Sequence, residues 1–378
     1  MQRGERSGKK SLMFSIALLC ELFSGFATVH DDVLGTPPTI SIAPLLSAGA
    51  SSADVARTRQ ELVRAIETWG FFHVTDHGIS DDLRSALQRE MRSFFFAPLE
   101  VKTRLRRSRN NSRGFADDEL TKQKTDAKQI LDLGHKPFPH LADDAPENIV
   151  LDGFNQYPAP REYPNFRRVF DEWWGNCAVL SATLTSVLAE ELGAVDVFSL
   201  AFAKHTSFLR LNYYPTEHAK AQSEGGESTL GVSRHTDAGF LTVLLQDDEA
   251  DDALEVYSGS REKNKDGSWV PVKAVRGALT INTGDMLQVF SNNRFKAPEH
   301  RVRRSVQRER FSAPFFYNPS YDTNVAPLPV TGSPPLYKPI NWGVFRSNRF
   351  KGDYQDHGLE TQIEDWLVSP TSTAASEL

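Results

Sequence analysis

Three short stretches in the second half of the chain have the residue types and spacing to do chemistry. His235-Thr236-Asp237 sets an imidazole and a carboxylate two residues apart. In a strand, residues i and i+2 share a face about 7 Å apart, so the two can grip one metal ion. A third donor is then required, and His300, in Ala297-Pro298-Glu299-His300-Arg301-Val302, is the best placed, on a later strand. Two imidazoles and one carboxylate on one octahedral face suit iron(II) and leave three positions open. Arg310-Phe311-Ser312 likewise puts two polar side chains on one face, where a guanidinium and a hydroxyl can hold a carboxylate. In Leu209-Arg210-Leu211-Asn212-Tyr213-Tyr214-Pro215, Leu209, Leu211 and Tyr213 face one way, and Arg210, Asn212 and Tyr214 the other. Each stretch alone also describes a surface hydrogen-bonded pair or an exposed edge. The surroundings of Arg310 (Phe311, Pro314, Phe315, Phe316, Tyr317) are those of a core, and a buried arginine needs an anion.

The elements that must position these residues are short strands. From residue 205 on, alternating or apolar runs fall at 207–214, 230–236, 241–246, 254–257, 269–273, 279–281, 287–290, 300–306 and 311–317, separated by Gly, Asn, Asp and Pro. This spacing predicts a sandwich or jelly roll. Helices come first. Val55, Leu62, Val63, Ile66 and Trp69 lie at helical spacing, and Gly70 ends that helix. Phe71-Phe72-His73-Val74 reads as a strand and Asp76-His77-Gly78 as a turn. Ser80 caps a second helix carrying Leu83, Leu87, Met91, Phe94 and Phe95. Residues 102–165 read as mostly irregular, with Arg104–Arg109 as a solvated basic loop. A long helix spans about 165–192 and stops at Gly193.

Composition narrows the classes. The 378 residues are 39% hydrophobic and 24% charged, which excludes full-length disorder. A net charge of −6 argues against a general nucleic-acid binder. Two cysteines, Cys20 and Cys177, make neither a disulfide framework nor a Cys-rich zinc site. Residues 1–30 carry Arg3, Arg6, Lys9 and Lys10 ahead of the apolar run from Leu12 to Cys20, which Glu21 interrupts. That pattern fits a signal peptide, an organelle leader, a disordered extension or a misassigned start, and is too short and broken for a stable membrane span. The expectation is a cytoplasmic protein, with the secretory pathway or an organelle as the alternative through the 1–30 leader. The acidic run Asp247–Asp252 reads as a solvated loop.

Taken together, Asn212-Tyr213-Tyr214-Pro215, His235-Thr236-Asp237, His300 and Arg310-Phe311-Ser312 resemble the motif set of the iron(II)/2-oxoglutarate dioxygenases, in particular the isopenicillin N synthase-like group. Trp69-Gly70-Phe71-Phe72, His77-Gly78, Gly284-Asp285-Met286-Leu287-Gln288 and Ser291-Asn292 match further, so the resemblance covers about residues 38–345. It implies a mainly β fold with a helical cap, a double-stranded β-helix (jelly roll, cupin-like) preceded by an N-terminal α/β region. The implied organisation is a leader and linker over 1–37, a cap region over 38–160, a long helix over 161–204, the catalytic core over 205–345, and a C-terminal helix and tail over 346–378.

By the same resemblance, His235, Asp237 and His300 hold Fe(II). Arg310 and Ser312, with Tyr214 and Asn212, take the far carboxylate of 2-oxoglutarate. O2 is the oxidant, ascorbate a candidate reductant, and the substrate a small-molecule metabolite that is hydroxylated, desaturated or cyclised by a monomeric enzyme. Phe316 is a candidate to line the substrate site, with Phe240 and Phe290 as weaker ones. His73, His77, His205 and His218 receive structural readings. The alternatives are an iron(II) oxidase of the same group that does not use 2-oxoglutarate, a non-catalytic ligand-binding protein on this scaffold, and, more remotely, a zinc hydrolase.

Overall fold

The computed structural model describes residues 35–368 apart from 122–123, 135–139, 149–151, 217–229, 248–251, 259–266, 306, 330–331 and 353–360. The leader, His218 and most of the acidic run lie outside the described residues. The strands in chain order are β1 (Thr39–Ser41), β2 (Phe71–Thr75), β3 (Gly114–Ala116), β4 (Leu120–Thr121), β5 (Lys124–Thr125), β6 (Gln129–Gly134), β7 (Phe208–Tyr214), β8 (Val232–His235), β9 (Leu241–Gln246), β10 (Leu254–Tyr257), β11 (Trp269–Pro271), β12 (Leu279–Thr283), β13 (His300–Val302) and β14 (Arg310–Tyr317). Twelve of these form an eight-stranded sheet, ordered β1-β2-β12-β9-β14-β7-β6-β3, and a four-stranded sheet, ordered β11-β10-β13-β8, while β4 pairs with β5, and two further short strands, β15 (Asn324–Val325) and β16 (Ile340–Asn341), pair with each other. All neighbours in these sheets are antiparallel except β1 and β2. This is the jelly roll that the turn-separated runs imply.

The large sheet has two different faces because side chains alternate along a strand. On β9, Leu241, Val243 and Leu245 join the main core. So do Phe311, Ala313, Phe315 and Tyr317 of β14, and Leu279 and Ile281 of β12. That core is completed by α1 (Ser52–Thr68), α2 (Asp81–Phe95) and α3 (Phe166–Glu191), whose stripes include Leu62, Phe94 and Trp173. The opposite face meets the small sheet through a smaller cluster in which Phe71, Tyr214 and Leu244 pack with Val232, Leu254, Val256 and Val302. The cleft that carries the chemistry lies beside this second cluster, between the sheets.

Local signals explain the helix ends. Ser80 Oγ accepts the Leu83 amide at 3.2 Å and caps α2. Gly70 turns with φ 63° directly after α1, and a Cβ there would lie 2.9 Å from the Pro298 ring. Three expectations fail. The run at 287–290 is not a strand but lies in α4 (Asp285–Phe290), whose residues are all buried; a fully buried apolar run has no period that separates helix from strand. The 102–165 region is less irregular than expected, since β6 pairs along six positions with β7 inside the large sheet. Its basic stretch is not simply solvated: Arg107 is 6% exposed and pairs with Glu119. The C-terminal helix, α5 (Trp342–Gly352), begins four residues earlier than 346. Among the described residues, no helix is long and apolar enough to cross a membrane.

His73, bonded to the Thr280 hydroxyl, and His205, stacked on Trp174, are structural as expected. Burial lowers both imidazoles to about 4, whereas an unfolded histidine titrates near 6.5. The unfolded chain therefore binds more protons between these values, so the stability is complete above about pH 6.5 and is lost as pH falls toward 4. The thermal midpoint of the metal-free protein should fall across that window. His205→Phe, which keeps the stack, should make the fall shallower; an unchanged slope would remove His205 as a contributor.

Candidate active site

β8 and β13 run antiparallel with His235 directly opposite His300, and their ring centroids are 4.2 Å apart. Asp237 follows β8 in a tight turn that α4 holds from behind. Asp285 and Met286 donate their amides to the carbonyls of Asp237 and Gly239 at 2.8 and 2.9 Å, which also satisfies amides that a helix N-terminus leaves open. Gly284 leaves no space for a side chain there, because a Cβ would lie 2.3 Å from the Gly239 oxygen. The donor atoms of His235, Asp237 and His300 all lie within 4.8 Å of one another.

Hydrogen bonds fix which atoms face inward. His235 Nδ1 sits 2.7 Å from the Ser233 carbonyl and His300 Nδ1 3.1 Å from the Pro298 carbonyl. A carbonyl only accepts, so both Nδ1 atoms carry the proton and both Nε2 lone pairs are free. These Nε2 atoms stand 3.7 and 3.6 Å from Asp237 Oδ1. The other oxygen, Oδ2, accepts from Thr242 Oγ1 at 2.5 Å and Asn282 Nδ2 at 2.7 Å. One oxygen is thus held by the protein and the other is left for an ion. Burial lowers His235 to about 3, and the neighbouring His300 adds to it, so this imidazole is neutral at pH 7. Burial raises the Asp237 carboxyl, but the two imidazoles and the Thr242 and Asn282 donors outweigh it and hold it below its ordinary value. Two imidazoles that turn Nε2 inward and one ionised oxygen fit a divalent metal ion.

The cleft has two adjoining compartments that share the His235 and Asp237 edge. The inner one is lined by all three donor residues and by Asn212, Tyr214, Arg310, Ser312 and Phe316. β14 and β7 set Arg310 opposite Tyr214 and Ser312 opposite Asn212, which agrees with the facing inferred from alternation. Arg310 is 3% exposed, its Nη2 donates to Gln246 at 3.4 Å, and its guanidinium lies 5.0 Å from the Tyr214 ring centre. Its Nη1 is buried with no partner among the described residues, and so is Asn212 Oδ1. Buried orphans of this kind are costly, and they point to a polar ligand that completes them.

The outer compartment was not foreseen. Glu119, Lys128, Arg210, Arg346 and Arg349 line it with Phe208, Phe316 and Trp342. Arg210 is clamped by Asp132 and Glu119, all at 2.8 Å, and Arg349 donates to the carbonyls of Thr361 and Thr236. Thr236 stands between the two donors of the His-x-Asp pair. Glu119 is held well below its ordinary value: burial opposes this, but Arg210, Lys128 and Arg107 prevail. Thr242, Asn282 and Gln246 were also missed, although alternation along β9 and β12 places them on the cleft face. No sequence signal marks Arg346 or Arg349.

Phe316 lines both compartments, 4.7 Å from the Phe208 ring. Phe240 and Phe290 do not line the site. Both are at most 1% exposed and lie in the main core, Phe240 against Phe198 and Phe202 and Phe290 against Phe198; Phe240 precedes β9 and so escapes the strand's alternation, and Phe290 sits on α4 rather than on a strand. Phe240→Ala should therefore cost about 3–5 kcal/mol of stability, with substrate KM unchanged in material that folds. Phe316→Ala should cost less and raise KM; the reverse pattern in denaturation and kinetics would overturn the placement.

Residues 205–319 match the 2OG-Fe(II) oxygenase superfamily model, and residues 37–160 match the N-terminal model described as non-haem dioxygenase in morphine synthesis. Jasmonate-induced oxygenase 2 of Arabidopsis thaliana is 33% identical over 315 residues, 82% of this chain and 78% of that protein. Gibberellin 2-beta-dioxygenase 2 of Arabidopsis thaliana is 31% identical over 341 residues, 87% of this chain and 93% of that protein. The crystal structure of JOX2 in complex with 2OG, Fe and JA superposes with a TM-score of 0.68 at 26% identity, covering 93% of this chain and 97% of that one. The dioxygenase for auxin oxidation in rice gives 0.64 at 22% identity, over 88% and 99%, and shows the shared fold.

Proposed function

The chain belongs to the 2OG-Fe(II) oxygenase superfamily, and from that premise we propose the role of each compartment. It is an iron(II)- and 2-oxoglutarate-dependent dioxygenase. His235, Asp237 and His300 hold the iron, and the inner compartment takes 2-oxoglutarate with its far carboxylate on Arg310 and Ser312. The observation that carries this is Arg310 Nη1, without a partner among the described residues and buried in the same compartment as the three donors. A guanidinium fork matches a carboxylate with two parallel bonds. Ser312 Oγ, which accepts from Asn212 Nδ2 at 3.2 Å, keeps its own proton to donate. Tyr214 sets the plane of the guanidinium through its ring face.

Iron and 2-oxoglutarate, when bound, supply the activation of O2 and the oxidising equivalents, with release of succinate and CO2. The protein binds, orients and excludes water. Fixed Nδ1 protons keep both imidazoles in the ligating tautomer. The apolar cluster of Phe71, Leu244, Leu254 and Val302 borders the inner compartment and keeps it dry. Phe316, at the junction of the compartments, offers a ring face to substrate.

The outer compartment supports a small metabolite that carries a carboxylate. Four cations, Lys128, Arg210, Arg346 and Arg349, line it against Glu119 and Asp237. The acids that anchor several of these cations, Asp126, Asp132 and Asp152, sit outside the lining.

Anaerobic titration with Fe(II), then 2-oxoglutarate, followed by succinate-coupled oxygen uptake against a panel of small carboxylic acids and their methyl esters, tests the reading. Preference for the free acids is expected; failure to bind Fe(II) at micromolar concentration would sink it. Asp237→Ala should abolish Fe(II) binding and turnover while circular dichroism stays native, at a stability cost of about 1–3 kcal/mol from the stranded Thr242 and Asn282 donors. Arg310→Lys should weaken 2-oxoglutarate affinity at least about tenfold, or about 1.4 kcal/mol, since a point charge cannot replace the fork. An unchanged Kd would remove Arg310 from the co-substrate site.

A further inference from the structure

A buried ion cluster stands behind the wall shared by the two compartments. Glu119, Asp126 and Lys128 are exposed by 3%, 1% and 5%. Lys128 Nζ bonds Glu119 Oε2 at 2.7 Å and Asp126 Oδ2 at 3.0 Å. Thr121 Oγ1 donates to the same Asp126 oxygen at 2.7 Å. The other oxygen, Oδ1, leaves the cluster and accepts the backbone amide of Ser233 at 3.2 Å. Ser233 is the residue whose carbonyl takes the Nδ1 proton of His235.

The place where Asp126 acts is an irregular one. β8 and β13 pair at His235 with His300 and at Val232 with Val302, and the register shifts between these points. Ser233 and Arg234 therefore face the single residue Arg301, as in a β-bulge, and the ladder is interrupted there. Asp126 supplies the Ser233 amide with an acceptor. The equivalent position before His300 is Pro298, which has no amide hydrogen and whose ring already fixes φ. One imidazole rests on a proline, the other on a peptide that must be held.

We propose that Asp126 is a positioning residue for His235: it holds the Ser233 peptide at the bulge, fixes the carbonyl that orients the imidazole, and is tied by Lys128 to the wall of both compartments. This rests on the reading of His235 as an iron ligand. Outer partners of metal-bound histidines are worth about 10–100-fold in metal affinity.

The test uses the full chain and Fe(II) alone, titrated anaerobically, then the visible absorption of the Fe(II)–2-oxoglutarate complex. Asp126→Ala should weaken Fe(II) binding about tenfold or more and shift the band, whereas Asp126→Asn, whose amide oxygen still accepts from Ser233, should restore both to near wild type. A purely structural role would lower the thermal midpoint of both variants and leave affinity and spectrum alike in each. Wild-type affinity in folded Asp126→Ala overturns the proposal, and so does equal loss in both variants, which would trace the effect to the Lys128 charge. Should Asp126→Ala not fold, Thr121→Val carries the test at an amplitude of a few-fold, and an unaltered Kd and band there overturn it. Wild-type protein that does not bind Fe(II) would instead refute the underlying reading.

Discussion

The period of two along a β-strand is the constraint on which the rest depends. Each central strand of the large sheet packs against the helices with one set of side chains and furnishes the cleft with the other. Phe311, Ala313 and Phe315 alternate with Arg310, Ser312, Pro314 and Phe316, and Leu209 and Leu211 with Arg210 and Asn212. A slip of one residue would bury arginine in the main core and turn phenylalanine into the site. The apolar packing that stabilises the sheet is therefore what holds its polar face in register, and site and core are specified by the same pairing.

That constraint also decides what can be read from sequence. The Arg-x-Ser and Asn212/Tyr214 pairs lie within strands, so two or three residues display the facing; the His-x-Asp spacing is equally short-range, although Asp237 stands in the turn after β8 rather than on it, and the fold brings the three together in one compartment. The outer wall has no such signature. Lys128 precedes β6, Arg210 lies on β7, and Arg346 and Arg349 lie on α5, so the cluster exists only once distant segments meet. The helix at Asp285–Phe290 was opaque for another reason: with all six residues buried, its polarity carries no period. β6 was hidden because its polar, proline-rich neighbourhood reads as a connection, although its own residues are nearly all buried.

Charge burial follows a consistent rule. Glu119 meets Arg107, Lys128 and Arg210, and Asp152 meets Arg113 and Arg346. A buried ion is tolerable only when paired and hydrogen-bonded. The acids form an outer layer that fixes long cationic side chains, which would otherwise sample many rotamers, and so present their heads to the lumen with little freedom left to lose. Arg349 adds a second duty, since its bond to the Thr236 carbonyl braces the peptide between His235 and Asp237.

The carbonyls behind both imidazoles and the two donors on Asp237 Oδ2 have a consequence for loading. All three donor groups are oriented by protein atoms, so an arriving ion meets donors already held in place. A pre-set socket of two nitrogens and one oxygen follows the general ranking of divalent ions, in which iron(II) stands below cobalt, nickel and copper. Fidelity for iron is then a property of the ions on offer where the protein is made, and exposure to a stronger-binding ion would leave a well-folded, silent enzyme that chelation and fresh iron can revive.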